Sequence, residues 1–118
     1  MFPYEKLEVY QKAYGVNQKV YRFLQHNKSI AIYARNQFGS ACLSIMLNIA
    51  EGDAKFGPRD KRHFFVTARA SAFESSALIN FLHSMGEVPD AFRDEIYSTL
   101  IEISKMLFTM IRNLESKI

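Results

Sequence analysis

The run Ala41-Cys42-Leu43-Ser44-Ile45-Met46-Leu47-Asn48-Ile49-Ala50-Glu51-Gly52 constrains this chain most. Its apolar residues recur at helical spacing, its polar residues Ser44, Asn48 and Glu51 step by four and three, and it stops at a glycine. A strand would need alternation with a period of two, and no segment of the chain alternates between turn signals. The expectation is therefore an all-α fold.

Four helices account for the rest of the pattern. The first is expected from about Tyr4 to Gln25, with Leu7, Tyr10, Tyr14, Val20, Phe23 and Leu24 on one face and Ala13 and Val16 beside it. Gly15 sits in its middle at a cost of about 1 kcal/mol relative to alanine. His26-Asn27-Lys28-Ser29 reads as a connection. The second helix is expected from about Ile30 to Gly52, with Phe38, Ala41, Cys42, Ile45 and Ile49 inward. Gly52 is expected to end it in a left-handed conformation.

Pro58 follows a short loop and can begin a helix, although it cannot continue one. The third helix is expected from Arg59 to Met85, with Phe65, Ala68, Ala72, Ser75, Ile79 and Leu82 as its stripe and Gly86 as its stop. After Pro89 the fourth carries Ile96, Leu100, Ile103, Leu107, Met110 and Leu114, a heptad seam suited to near-parallel packing. Asp90, Asp94 and Glu95 lie near its positive N-terminal end. Four helices of about 20 residues with short loops predict an antiparallel up-down-up-down four-helix bundle, with residues 1–118 as one domain.

Composition narrows the function. With 118 residues and 48% apolar content, the chain can bury a core without disulfides. The single cysteine, Cys42, has no intrachain partner and reads as a small buried hydrophobe. No stretch reaches the roughly 20 apolar residues of a membrane span, and the N-terminus lacks a signal-peptide pattern. No membrane association and a cytoplasmic location are expected.

The net charge of +3 is unevenly laid out, with 11 Lys/Arg against 5 Asp/Glu in residues 1–69 and 4 against 7 in residues 70–118. Such asymmetry points to an anionic partner, or to a basic face meeting an acidic face in an oligomer.

The signature segment resembles a known family. Gln37-Phe38, then Ala41-Cys42-Leu43-Ser44-Ile45, then Asn48-Ile49-Ala50-Glu51-Gly52 is similar to the signature of the "four helix bundle protein" family, encoded by intervening sequences in bacterial 23S rRNA genes. Phe64, Ala68, Arg69, Ala70, Ser71 and Glu74 occupy the places of that family's second block, and Leu7-Glu8-Val9-Tyr10 with Val20-Tyr21 those of its first helix. Ser40 stands where the family usually has arginine, Met46 where proline is common and Ala70 where glycine is common. The resemblance implies an antiparallel bundle that assembles as a homopentamer. Through a related branch, the accessory proteins of diversity-generating retroelements, it also implies binding to RNA or DNA; by fold alone this is analogy.

Three groups of residues are candidates for function. Ser44, Asn48 and Glu51 share one helix face, and Ser71 and Glu74 share another. If these faces meet they form a structural polar layer, with Arg69 as the cation satisfying one carboxylate. The competing reading is a catalytic carboxylate pair, which lacks an accompanying nucleophile, metal ligand or phosphate loop.

Lys12, Lys19 and Arg22 lie on one side of the first helix, and Lys55, Arg59, Lys61 and Arg62 cluster around the loop into the third. They read as a phosphate-contacting surface, multiplied in a ring, or as ordinary solvated faces. The aromatic load, with Tyr4, Tyr10, Tyr14, Tyr21, Tyr33, Phe56, Phe73, Phe81 and Phe92 beyond what one core holds, predicts that some rings pack between subunits.

His26, His63 and His83 lack the Glu-x-x-His spacing of a di-iron bundle, so no metal or cofactor is expected. The expected function is a non-enzymatic oligomeric bundle binding nucleic acid through its basic surface. The alternative is a structural or adaptor protein that docks another protein.

Overall fold

In the computed structural model, which describes residues 1–118, the chain folds as four helices in sequence order: α1 Glu8–His26, α2 Ile32–Ala54, α3 Pro58–Ser84 and α4 Asp90–Glu115. They form an all-α bundle measuring 46 × 27 × 23 Å. Each helix packs on its sequence neighbours and α1 closes on α4, with no diagonal pairing. The cross-section is therefore a square, and its α1–α2 side lies opposite its α3–α4 side.

The helix ends follow local chemistry. Pro3–Lys6 forms a separate turn of 3-10 helix, and Leu7 is extended at φ −70°, ψ 127°, so α1 begins at Glu8 and not at Tyr4. The Glu5 carboxylate holds this turn by accepting the Phe2 N–H at 2.8 Å. Ile30 is buried within the α1–α2 connection, which delays α2 to Ile32. The last carbonyls of α1 are capped by side chains: Asn27 donates to Phe23 O at 2.8 Å, and Arg35 donates to Leu24 O and to Asn27 O. Arg35 is thereby committed to the fold.

Pro58 is the first residue of α3. That helix ends in a Schellman closure, with Gly86 at φ +76° and the Glu87 N–H bonded to Leu82 O at 3.0 Å.

Gly52 departs from its expected role. It lies inside α2, is buried, and is not left-handed. A Cβ there would fall 2.7 Å from Phe65 Cε1 and 3.0 Å from Phe64 Cβ, so the glycine permits close approach of α3. The helix ends two residues later, where Lys55 turns extended and its N–H bonds Gly52 O at 3.2 Å.

The core is one cluster drawn from all four helices. The expected stripe of α3 is buried residue for residue, as is that of α2 with Ala34 and Gly52 added. In α1 the buried set is Val9, Ala13, Val16, Val20 and Leu24, while Tyr14 stands 48% exposed and Tyr10 and Phe23 are half-buried. Small and β-branched residues take the interior and the longer aromatic rings take its edge. In α4 the seam runs through Ile96, Leu100, Ile103 and Leu107 and then shifts to Ile111, leaving Met110 and Leu114 half-buried. A helix of 3.6 residues per turn drifts about 20° per heptad, which moves the inward position by one residue near the end.

Candidate functional site

Three surfaces carry the candidate residues. The first lies between α2 and α3, which share the largest helix–helix interface. The Ser44 and Ser71 hydroxyls are 2.7 Å apart, and Asn48 Nδ2 donates to Ser44 O at 2.8 Å and Ser44 Oγ at 3.0 Å. Beneath them Ser75, the sole fully buried polar residue, donates to Ser71 O at 2.8 Å. Small hydroxyls and alanines let the two backbones approach while every buried oxygen keeps a partner.

Glu51 and Glu74 stand outside this layer. Both are exposed, and neither carboxylate forms a hydrogen bond or ion pair within the chain. The helices are antiparallel, so from the Ser44–Ser71 contact Glu51 lies seven residues toward one end and Glu74 three toward the other. At 1.5 Å per residue they are separated by about 15 Å along the bundle. That distance rejects a catalytic carboxylate pair within one chain.

Arg69 satisfies neither glutamate. Its guanidinium lies over the rings of Phe73 and Phe108, at 4.8 and 5.3 Å from their centroids, and its Nε is buried without a hydrogen-bond partner. The expected layer of six thus reduces to Ser44, Asn48 and Ser71, with Ser75 below. Leaving a buried donor unpaired costs about 1–3 kcal/mol, and no group of this chain offers Arg69 Nε an acceptor.

Cys42 lies in the same interior. Burial pushes its thiol up to about 12, against the opposing influence of a bond with Ser75. It is a neutral, enclosed thiol and not a nucleophile. Asn17, which the sequence pattern did not single out, donates to Cys42 O at 2.8 Å and Ala13 O at 2.9 Å, tying α1 to α2. A polar residue on the rim of an apolar stripe was its only signal.

The second surface is the basic one, and much of it is consumed by the fold. Lys12 pairs with Glu102 at 2.7 Å and Lys19 with Glu95 at 2.9 Å, both across the small α1–α4 interface. The Glu102 bond and charge raise the Lys12 pKa above its ordinary value. Arg62 pairs with Glu115 at 2.8 Å. The charge asymmetry along the sequence is thus partly neutralised inside one chain, where basic α1 meets acidic α4. Lys61 donates to Asp53 O at 2.9 Å, and Lys55 rests 5.1 Å from the Phe64 ring centroid. Arg22 and Arg59 are exposed and carry no ion pair. Phe56, wholly exposed, sits in the loop beside Lys55 and Arg59.

The third surface is apolar and has two parts on opposite sides of the square. On the α1–α2 side, Tyr14, Tyr21, Leu43 and Met46 line an open groove of about 490 Å³. On the α3–α4 side, the outward face of α3 carries Val66, Ala70, Phe73, Ala77 and Phe81, all exposed. Their spacing of 4, 3, 4 and 4 is a second apolar seam on a helix whose first seam already fills the core. Phe108 of α4 joins Val66 and Phe73 in a groove of about 540 Å³ that also contains Arg69. This outer seam was present in the sequence but eclipsed by the inner one. Other rings find partners within the chain: Phe92 stacks on Phe23 at 4.4 Å, and Tyr4 meets Tyr10 edge-on at 4.7 Å.

No three His, Cys, Asp or Glu side chains converge as a metal site, and no helix is long and apolar enough to cross a membrane.

Comparison with known proteins agrees with this architecture. A crystal structure from Bacteroides thetaiotaomicron VPI-5482, described as a protein of unknown function from the S23 ribosomal protein family, superposes with a TM-score of 0.80. It is 21% identical, and the match covers 87% of this chain and 97% of that one, so it bears on the fold. A search of curated proteins finds no match. The family model described as 23S rRNA-intervening sequence protein matches residues 5–109. With that match spanning nearly the whole bundle, the chain belongs to the 23S rRNA-intervening sequence protein family.

Proposed function

We propose that this protein is a non-enzymatic assembly module whose copies join head to tail through two unlike apolar faces. The observation that carries this reading is the outer seam Val66, Ala70, Phe73, Ala77 and Phe81, exposed on the side of the bundle opposite the Tyr14–Tyr21–Leu43 groove. Contiguous exposed apolar surface of this kind marks interaction sites. When one patch seats on the other, each copy still offers one patch of each kind. Such contacts are heterologous and close into a ring when the rotation permits. A homopentamer is the ring size that family resemblance suggests, and a cytoplasmic setting suits a single free thiol.

The test is the mass in solution. Light scattering on micromolar protein is expected to give a multiple of the 13.6 kDa chain, and Phe73→Asp is expected to reduce it to one chain while helical circular dichroism is retained. A wild-type monomer at that concentration overturns the reading. An apolar face that captures a different protein while the chain stays monomeric points instead to the adaptor role.

A second reading, RNA or DNA binding, is favoured by the loop at Lys55, Phe56 and Arg59. A fully exposed ring flanked by cations is the arrangement on which single-stranded bases stack. With Lys12, Lys19 and Arg62 paired internally and Lys61 bonded to Asp53 O, the contacting set at this loop reduces to Lys55 and Arg59, repeated in each copy of a ring, while Arg22 lies toward the other end of the bundle. Binding of labelled single-stranded RNA should fall steeply with salt and weaken on Phe56→Ala. No binding at low salt by an intact assembly removes this reading.

A further inference from the structure

The groove between α3 and α4 holds three arginines and one carboxylate. Arg62 and Arg112 both turn to Glu115, at 2.8 and 3.9 Å. Arg69 has no carboxylate at all. Its guanidinium carbon lies 4.8 and 5.3 Å from the Phe73 and Phe108 ring centroids, its Nε is buried and unbonded, and the side chain lines the groove. A guanidinium in a ring-lined groove with no carboxylate of its own suits a carboxylate brought from outside, which its planar fork can hold bidentately. Val66, Phe73 and Phe108 around it call for a carboxylate borne on an apolar surface.

The chain itself carries such a surface. On the outward face of α2, Leu47 is 53% exposed, and Glu51, one turn further on, is exposed without any cation partner. We propose that Glu51 of one copy completes Arg69 of the next, with Leu47 of the same α2 set against the Phe73 and Phe108 rings. The inference rests on the self-assembly reading and names the polar contact that orients it. With Glu51 of each copy set on Arg69 of the next in one direction around the assembly, the contact is heterologous, as a ring requires. It also gives two groups a role that neither has within one chain: the guanidinium of Arg69, which lines the α3–α4 groove, gains an acceptor, and exposed Glu51 on α2, outside the Tyr14–Tyr21–Leu43 groove, gains a cation.

A double-mutant cycle tests it. The assembly midpoint is measured by mass photometry across a dilution series for the wild type, Arg69→Gln, Glu51→Gln and the double variant. Each single variant is expected to raise the midpoint by at least about tenfold, and the double variant no further, because one interaction is lost in all three. The exchanged pair Arg69→Glu with Glu51→Arg is expected to recover assembly that either change alone abolishes. Midpoints unchanged in both single variants, or single effects that multiply in the double variant, overturn the proposal, as does coupling of Arg69 to Glu74 in place of Glu51. A wild type that assembles and is broken by Phe73→Asp but is indifferent to Arg69 and Glu51 removes this contact and leaves self-assembly standing. A monomeric wild type removes both. Thermal melts of each variant show that the bundle remains folded, and Arg69→Lys, which keeps charge but loses the planar fork, is expected to weaken assembly while leaving the melt unchanged.

Discussion

The α2–α3 and α1–α4 interfaces join the same kind of helix by opposite means. Between α2 and α3 the closing elements are small: Ala41, Gly52, Ala68 and Ala72 let the backbones approach, and Ser44, Ser71 and Asn48 bond across the gap. Between α1 and α4 long side chains bridge a smaller interface, as Lys12 to Glu102 and Lys19 to Glu95. Close packing is unforgiving of added volume and indifferent to salt, whereas exposed ion pairs are weak, screened and tolerant. The first interface therefore sets the bundle's geometry, and the second mainly settles which faces meet.

The contrast can be broken at several points. The largest expected effect is on Cys42. Its alkylation by iodoacetamide at pH 8 should be slower than in the denatured chain by a factor on the order of 10³ or more, because the thiol is enclosed beside the α2–α3 seam and reacts only after opening. Its raised pKa also links to stability. The group's ordinary value is 9.0 and its folded value about 12. The native state therefore holds a proton that the unfolded state releases, and the contribution is full below pH 9 and is lost as pH rises toward 12. A Cys42→Ala variant should lack that part of the alkaline loss in denaturant titrations.

Next come substitutions at the tight contact itself. Phe65→Ala should cost about 3–5 kcal/mol by urea unfolding. Gly52→Ala should cost about 1–2 kcal/mol, since overpacking against Phe65 exceeds the gain in helix propensity. The two should be less than additive when combined, because removing the ring makes room for the methyl. Additive losses would place the strain elsewhere.

At the other interface the effects are smaller. Glu95→Gln should cost at most about 1 kcal/mol, and the difference from wild type should vanish at 1 M salt, where the Debye length is about 3 Å. A loss that persists in high salt would mean the α1–α4 contact is also held by packing through these side chains. Gly15→Ala should be the mildest, raising stability by up to about 1 kcal/mol, because nothing lies within 4 Å of the added methyl.

Much of this molecule was written in its residue order. The apolar spacing of Phe65 through Leu82 and of Phe38 through Ile49 specified two core faces, and Pro58 and Gly86 marked the ends of α3. These are local matters: a helix's period and its end chemistry act within a few residues, so they are visible in one dimension. Membership of the family was legible for the same reason, since its signature is a continuous segment.

What only the tertiary structure decided is the pairing of distant groups. Glu51 and Glu74 shared a pattern with Ser44 and Ser71, yet antiparallel packing brought the serines together and sent the glutamates to solvent at opposite levels. Lys12 and Lys19 read as a free basic stripe until α4 set Glu102 and Glu95 beside them. Gly52 read as a helix stop until Phe65 showed it to be a point of close approach. In each case the deciding partner lies on another helix. A helical period states which face a residue occupies, and the packing of four helices against one another decides what that face meets.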